Sequence, residues 1–496
     1  MSSSDGVVRS GYHSLAILLF LLPFALFTQD HLRGKLDRDS GIYIYAGQQA
    51  VQGTLPYASI FDHKGPLTSL VCAGGIVLAD ALGQQELFVV RAIFLAAAAG
   101  CVALVFLIGA TCWRSVRAGW LSALIFLGFW GFAHFASSGP RPKTLMLLLA
   151  LLCVRFGMKQ RYFWAALAGG AAVMVWQPAC VFLLALATAL ALRQPSRPRI
   201  SEWLRLAAGA ACVPLLVALY FAWNGALDLF WEGLVSFNVF LLERGADGDA
   251  SFLSILRGIH KGYSGALLAV IGGWAALPWA VCSSRIRSAG NAPSIFSYEA
   301  GILLPLWVLV SLWTAADFQG HVDAYPLLPL SALGFGWFLD RALSSLGGSE
   351  RSRLWQAVVA SLALLLVAWT EIKMKRSFEV DEQRAAIASL RAELEPGDQV
   401  RSLGAPEMMA LLGGRQDDRY LFVVNGIDAL IEARHPGGWQ GWLGALQDAP
   451  PRFILYRTPR GKKVRSLITW IESNYLTRWE AGGARILEHR EAAKRR

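Results

Sequence analysis

The stretch KLDRDSGIYIYAGQQAVQGTLPYASIFDHKGPL, Lys35 to Leu67, lies between two apolar runs, His13 to Gln29 and Leu67 to Leu82, that read as membrane spans. Asp37, Asp39, Asp62, His63 and Lys64 crowd into this connector, which as a plain link between spans would need none of them. Within it, Ser40 to Gln52 reads as a short amphipathic helix closed by Gly53. Tyrosines suit a helix lying at headgroup level, so Tyr43 and Tyr45 are expected there. TLPY then turns the chain and FDHKGP leads into the next run. Asp39 thus falls at the start of an interfacial helix and Lys64 where a membrane helix begins.

Each of these residues has a plain structural reading beside a chemical one. A carboxylate at a helix start caps exposed backbone N–H groups, and a lysine near a span end reaches toward headgroups. Asp62 and His63 suit a turn. The order of the elements favours chemistry: acid, aromatic helix, turn, acid–His–Lys–Gly–Pro, span.

The rest of the chain sets the surroundings. Of 496 residues, 55% are hydrophobic and 16% charged, whereas soluble domains carry about 25% charged residues. Further apolar runs cover Leu87 to Ala110, Gly119 to Ala136, Thr144 to Phe156, Phe163 to Leu192 and Leu204 to Trp223. Gly265 to Cys282, Ala300 to Thr314, Tyr325 to Leu339 and Leu354 to Thr370 continue the series. The fold class expected is a polytopic α-helical membrane protein of about 10–12 spans. The first run has no small-residue cleavage site after it and reads as a retained helix, not a signal peptide. From Glu371 onward there are 38 charged residues in 126, against 43 in the 370 before them. The expected domains are therefore a transmembrane part, residues 1–370, and a small soluble α/β domain, residues 371–496.

The net charge of +11 does not point to nucleic acid, because much of it sits in short loops between apolar runs. Such loops stay on the cytoplasmic side. Arg193 to Arg199, Ser283 to Arg287 and Gly347 to Arg353 are therefore read as cytoplasmic. That leaves loops 30–66, 224–263 and 315–324, and the terminal domain, on the extracytoplasmic face of an integral cell membrane. The middle does not close: Arg114 and Arg117 belong with the cytoplasm, yet counting Leu67–Leu82 and Leu87–Ala110 as two full spans puts them outside. Phe163 to Leu192 is too long for one helix and is broken at Pro178. One re-entrant or interfacial segment is expected. The seven cysteines lie in or beside apolar stretches without metal or redox spacing and read as buried thiols.

In the terminal domain, QVRSLG, YLFVV and RFILYRT read as strands, and Asp381 to Leu394 and Lys463 to Ser473 as amphipathic helices. It carries no catalytic constellation and reads as a lid or an acceptor-docking platform.

RDSGIYIYAGQQAVQGTLPYASIFDHKGPL resembles the first outer loop of C-type (GT-C) glycosyltransferases that use polyprenyl-phosphate sugars. The similarity is greatest to the group of dolichyl-phosphate-mannose protein mannosyltransferases and bacterial aminoarabinose lipid A transferases. In that group an Asp–Glu pair precedes Gly and an aromatic helix, then a PY turn, then an acid followed by His–Lys–Pro–Pro. Here Asp39–Ser40 stands for Asp–Glu and Gly65–Pro66 for Pro–Pro, so a second carboxylate is missing. GPRPKTLMLLLALL after Ser138, Phe163 to Ala179, and FQGHVDAYPLLPL (Phe318 to Leu330) are similar to later segments of the same group.

The resemblance implies transfer of a hexosyl or pentosyl group from a polyprenyl phosphate to a hydroxyl or amine of a glycan, lipid or protein. Asp39 matches the loop acid and is the expected general base. The leaving phosphate gains charge, which a cation in a low-dielectric site stabilises. Lys64 is the first choice, with His63, His321, Arg141 and Lys143 as further phosphate ligands. Asp62, Tyr43, Tyr57 and Tyr325 are expected in support. A single displacement implies inversion at the anomeric carbon. No metal ligands are assigned, although the chemistry leaves room for a divalent metal. The loop with Trp231, Glu232, Glu243 and Arg244 is a candidate for acceptor recognition. Asp37–Arg38–Asp39 and Asp247–Gly248–Asp249 have the spacing that holds a metal against a nucleotide diphosphate, but they fall in loops read as outside. The rival classes are a transporter or flippase of lipid-linked sugars, which would show repeated halves and midplane charges, and a non-catalytic envelope scaffold. The sequence shows no such repeat and its polar chemistry gathers at one face, and the scaffold reading leaves the Asp39–Lys64 segment unexplained.

Overall fold

The computed structural model describes residues 3–32, 34–193, 199–243, 252–286, 298–346, 349–373, 380–424 and 426–494. Most of the loop Arg193–Arg199, parts of Ser283–Arg287 and Gly347–Arg353, Arg244, and the triplet Asp247–Gly248–Asp249 lie outside the described residues. The chain divides into two compact units. The first comprises Met1–His31, Ala92–Trp223 and Asp247–Arg376; the second Leu32–Arg91, Asn224–Ala246 and Ser377–Arg496. The expected terminal domain is therefore grouped with the opening loop and with part of the second outer loop.

The first unit is helical. α1 is Ser3–His31 and most of α4, Glu86–Cys112, belongs here. Glu86–Cys112, Ile200–Trp223 and Phe252–Ser283 are long and apolar enough to cross a membrane. Val116–Leu127 and Trp130–Ala136, bent by 67°, pass the same test as a pair. Shorter apolar helices at His13–Thr28, Tyr162–Val175, Gln177–Ala191, Leu303–Ala316 and Leu354–Leu365 account for other runs. The long run from Phe163 breaks as expected, into Tyr162–Val175, a turn at Gln177–Ala179 and Cys180–Ala191. Pro178 lacks the N–H that would continue the ladder.

Burial separates inner from outer helices: 67% of the apolar window of Glu86–Cys112 is buried, against 17% for Ile200–Trp223. The latter exposes Leu204, Leu215, Leu216, Leu219 and Trp223, a face suited to lipid. Small residues let helices approach without a hydrophobic driving force. A Cβ on Gly334 would lie 2.0 Å from the Gly273 carbonyl oxygen, and one on Gly209 2.2 Å from that of Phe163. Arg117 donates to Asp340 at 2.5 Å and to Ser344 at 2.5 Å, both on the helix Leu327–Ser345 that leads toward the basic loop at 347–353.

The second unit is built on α2, Arg38–Val51, closed by Gly53 at φ +87°. α2 does not present its tyrosines to headgroups: Tyr43 and Tyr45 are buried in the protein. One flank packs on α3, Leu67–Ala81, where a Cβ on Gly47 would lie 2.9 Å from Cys72 Cβ. The other packs on helix Pro406–Leu412, where a Cβ on Gly41 would lie 2.3 Å from Glu407 Cα. At 15 residues, α3 is about 22 Å long, short of the roughly 30 Å hydrocarbon core. It belongs with α2. Arg91, fully buried, donates to the carbonyls of Leu32, Gly34 and Lys35 and fixes the entry to α2.

The terminal residues form the expected small α/β fold. β1 (Val400–Leu403) pairs in parallel with β2 (Phe453–Tyr456), β2 antiparallel with β4 (Ala484–His489), and β4 with β3 (Tyr475–Ala481). Helices Val380–Glu393 and Arg465–Asn474 lie close to their expected bounds. YLFVV is not a strand. Leu421 O accepts from Gly404 N and Val423 O from Arg460 N, single bonds in place of a ladder.

Candidate active site

Asp37, not Asp39, caps α2: its carboxylate accepts from Ser40 N at 2.7 Å. The capping reading of Asp39 is thereby overturned. Asp39 lies in the first turn, its carboxylate half-exposed and 3.4 Å from the Arg38 guanidinium. Tyr43 follows one turn later on the same face and is buried. Burial, then the charges of Asp62 and Asp39, push its phenol well above the ordinary value. The hydroxyl keeps its proton, hydrogen-bonds with Asp62, and lies 3.4 Å from Lys64 Nζ. Lys64 Nζ also sits 5.9 Å from the centre of the Tyr43 ring. Asp62 and Lys64 thus meet at one phenol, and the Asp39 charge acts on it from one helical turn earlier.

The loop that carries Lys64 closes on itself. Tyr57, at φ +69°, donates its hydroxyl to Lys64 O at 2.6 Å. Asp62 accepts from His63 N at 2.8 Å, and the His63 ring lies 3.6 Å from the same carboxylate. A cavity is lined by Ile42, Ala46, Tyr57, Asp62, Lys64 and Ser69.

The other sequence candidates lie in the first unit, where they also cluster. His321 stacks on Trp130 at 6.3 Å and meets Phe135 at 5.0 Å. Its Nε2 is buried with no hydrogen-bond partner among the described residues. Burial, then the charges of Arg141 and Lys261, lower its pKa to about 4, with Asp323 opposing. Arg141 lies over Phe135 at 5.1 Å. Lys143 is ion-paired with Asp323 and lies 4.1 Å from the Trp176 ring centre. Tyr325, fully buried, donates to Gly131 O at 2.9 Å and braces the bend before Trp130.

Several residues went unnoticed in the sequence. Lys261, Asp323, Trp130 and Trp176 complete the first-unit cluster. In the second unit Arg419 pairs with Glu232 at 2.9 Å, so Glu232 is engaged in an ion pair within the protein. Trp231 beside it is exposed. Asp418, part of an acidic pair in the sequence, accepts from Tyr420 N and Trp442 Nε1 and braces the fold. Among the described residues no three His, Cys, Asp or Glu side chains come together to hold a metal ion.

The fold is that of the GT-C glycosyltransferases. The chain superposes on ArnT from Cupriavidus metallidurans bound to undecaprenyl phosphate with a TM-score of 0.58, at 11% identity, over 98% of each chain. It superposes on the Archaeoglobus fulgidus oligosaccharyltransferase with a TM-score of 0.57, at 11% identity, over 90% of this chain and 69% of that one. The same archaeal enzyme, AglB, in complex with an inhibitory peptide and a dolichol-phosphate, gives 0.56. No protein-family profile and no curated protein matches the chain by sequence.

Proposed function

We propose that the chain is an inverting glycosyltransferase of the membrane, moving a sugar from a polyprenyl phosphate to an acceptor hydroxyl or amine at the extracytoplasmic face. The observation that carries this reading is the meeting of Asp62 and Lys64 at the buried Tyr43 phenol, one helical turn from Asp39. It is supported by a fold shared with enzymes bound to undecaprenyl phosphate and dolichol-phosphate. Asp39, half-exposed and relieved of capping, takes the acceptor proton as the acceptor's oxygen or nitrogen bonds to the anomeric carbon. The bond from that carbon to the phosphate oxygen breaks on the opposite face, and the electron pair stays on the phosphate. Lys64, oriented by Tyr43 and Asp62, meets the charge that develops there. Arg141 and His321, with Lys143 beside them, supply further donors to the lipid phosphate.

Two features support the sidedness. α3 groups with α2, so only α4 need return the chain after the opening loop. Arg117 bonds with Asp340 and Ser344 on the helix that leads to the basic loop at 347–353, which supports the same side for both. The proposed division is a transmembrane part, 1–370, and an extracytoplasmic domain, 371–496.

Membranes containing the protein, incubated with radiolabelled polyprenyl-phosphate sugars, should transfer label to an acceptor. Asp39→Asn should abolish transfer while insertion and yield persist; unchanged transfer removes Asp39 from the mechanism. Ala433→Cys, exposed on the helix Ile427–Arg434, should react with a membrane-impermeant reagent where only the outer face is accessible. Labelling only after lysis inverts the sidedness.

A further inference from the structure

The segment from Tyr57 to Lys64 has no regular secondary structure, yet it carries the cation and carboxylate that face Tyr43. Tyr57 holds a left-handed backbone, which for a non-glycine residue costs about 1–3 kcal/mol and persists only where the surroundings enforce it. Two distant stretches of chain enforce it. Phe61 N donates to Arg419 O at 2.8 Å. The Phe61 ring lies between Phe237, edge-on at 4.9 Å, and the Arg419 guanidinium at 5.5 Å. Asn238 Nδ2 donates to His63 O at 2.9 Å. Gly233 lies so close that a Cβ there would be 2.7 Å from Tyr57 Cε1 and 3.0 Å from Asp62 O.

Glu232 to Ser236 form a π-helical turn, a rare geometry found mostly at functional sites. The turn advances Glu232 to the Arg419 guanidinium at 2.9 Å, with Arg434 at 3.9 Å on its other oxygen. Both partners of the Glu232–Arg419 pair are mostly buried, with side-chain exposures of 16% and 19%. Together with the Tyr57 hydroxyl on Lys64 O, these contacts engage main-chain atoms of Phe61, Asp62, His63 and Lys64, four consecutive residues.

We infer that Glu232, Arg419 and Asn238 are positioning residues, a clamp that sets the Asp62–His63–Lys64 backbone and so aims Lys64 and Asp62 at Tyr43. This rests on the glycosyltransferase reading for its consequence in rate, but not for its structural content. The terminal domain is then part of the scaffold of the site through Arg419, which differs from a lid that only covers it.

The test uses the full-length protein in membranes and, for exchange, in detergent. Asn238→Ala should lower kcat for label transfer from a polyprenyl-phosphate sugar by about 10- to 100-fold, the scale of a misplaced catalytic group. Donor KM should stay within about threefold, since no donor contact is removed. Arg419→Glu should lose kcat likewise, and Arg419→Glu combined with Glu232→Arg should recover part of it. Amide exchange over residues 57–66 should speed up in Asn238→Ala while peptides of the four-stranded sheet stay unchanged. Unaltered kcat per folded molecule in an active preparation, or unaltered exchange over 57–66, overturns the clamp. If the wild type transfers no label but exchange changes as expected, the glycosyltransferase reading fails and the clamp stands.

Discussion

The two polar clusters differ in electrostatic balance, one near neutral and one rich in cations. In the second unit two carboxylates, Asp39 and Asp62, are matched by two cations, Arg38 at 3.4 Å from Asp39 and Lys64 at 3.4 Å from the buried Tyr43 phenol. In the first unit Arg141, Lys143 and Lys261 outnumber the single carboxylate Asp323, and an imidazole among them is held neutral. A half-exposed carboxylate suits withdrawal of a proton; a cation-rich cluster suits holding a phosphodiester. Under the proposed function a division of labour is expected: Lys64 meets the charge that develops on the leaving oxygen, and Arg141 and Lys143 bind an anion.

That division is open to attack by two substitutions. Lys64→Gln should cut kcat for label transfer by about 100- to 1,000-fold, the usual loss when one preorganised donor to developing charge is removed. Arg141→Gln should act mainly on donor KM, raising it about tenfold, the effect of roughly 1.4 kcal/mol of ground-state binding. Steady-state kinetics on matched membrane preparations distinguish them. The reverse pattern, Lys64 in KM and Arg141 in kcat, would exchange the roles.

A smaller effect sharpens the contrast by addressing the scaffold. Gly41 on α2 has Glu407 Cα 2.3 Å from the position of an added Cβ, whereas Gly74 on α3 has nothing within 4 Å. Gly41→Ala must push α2 off helix Pro406–Leu412 and should cost about 1–3 kcal/mol. Gly74→Ala should leave the melting temperature unchanged or raise it, because alanine is the better helix former. Thermal unfolding in detergent reads both, and transfer activity should fall with Gly41→Ala alone. Equal melting for the two would mean that α2 is not seated against the terminal domain.

What could be read from the sequence follows from how local each signal is. The helix ending at Gly53, the Pro178 break and the helices Val380–Glu393 and Arg465–Asn474 rest on periodicity and on residues that end helices, and these were legible. The hairpin of β3 and β4 was not assigned, although Gly482 and Gly483, both at positive φ, are its signal. Asp37 and Asp39 are two residues apart, and which of them caps depends on where helical dihedrals begin. The burial of Tyr45 against Gln416 and the Glu232–Arg419 pair join segments 371 and 187 residues apart, and the seating of α3 on α2 is a tertiary contact. No local pattern records them. α3 shows the cost: its apolar composition reads as a span, and its packing on α2 leaves no trace in that composition.

The smallest expected effect belongs to the first-unit cluster alone and concerns pH. The His321 imidazole has a pKa near 4 in the folded protein because burial and the cations Arg141, Lys261 and Lys143 oppose its protonation, with Asp323 only partly offsetting them. An unfolded chain protonates the same ring near the ordinary value of about 6.5. Between these two values the unfolded state binds a proton that the native state refuses, so stability falls as pH drops from about 6.5 to about 4 and levels off below. His321→Asn should flatten that part of the profile of melting temperature against pH, while Asp39→Asn leaves it in place. A bound polyprenyl phosphate would set a negative charge beside the ring and draw its pKa back up, so ligand should narrow the window at its acid end. If the profile is the same with and without His321, or insensitive to polyprenyl phosphate, the first-unit cations are not holding an anion next to that imidazole.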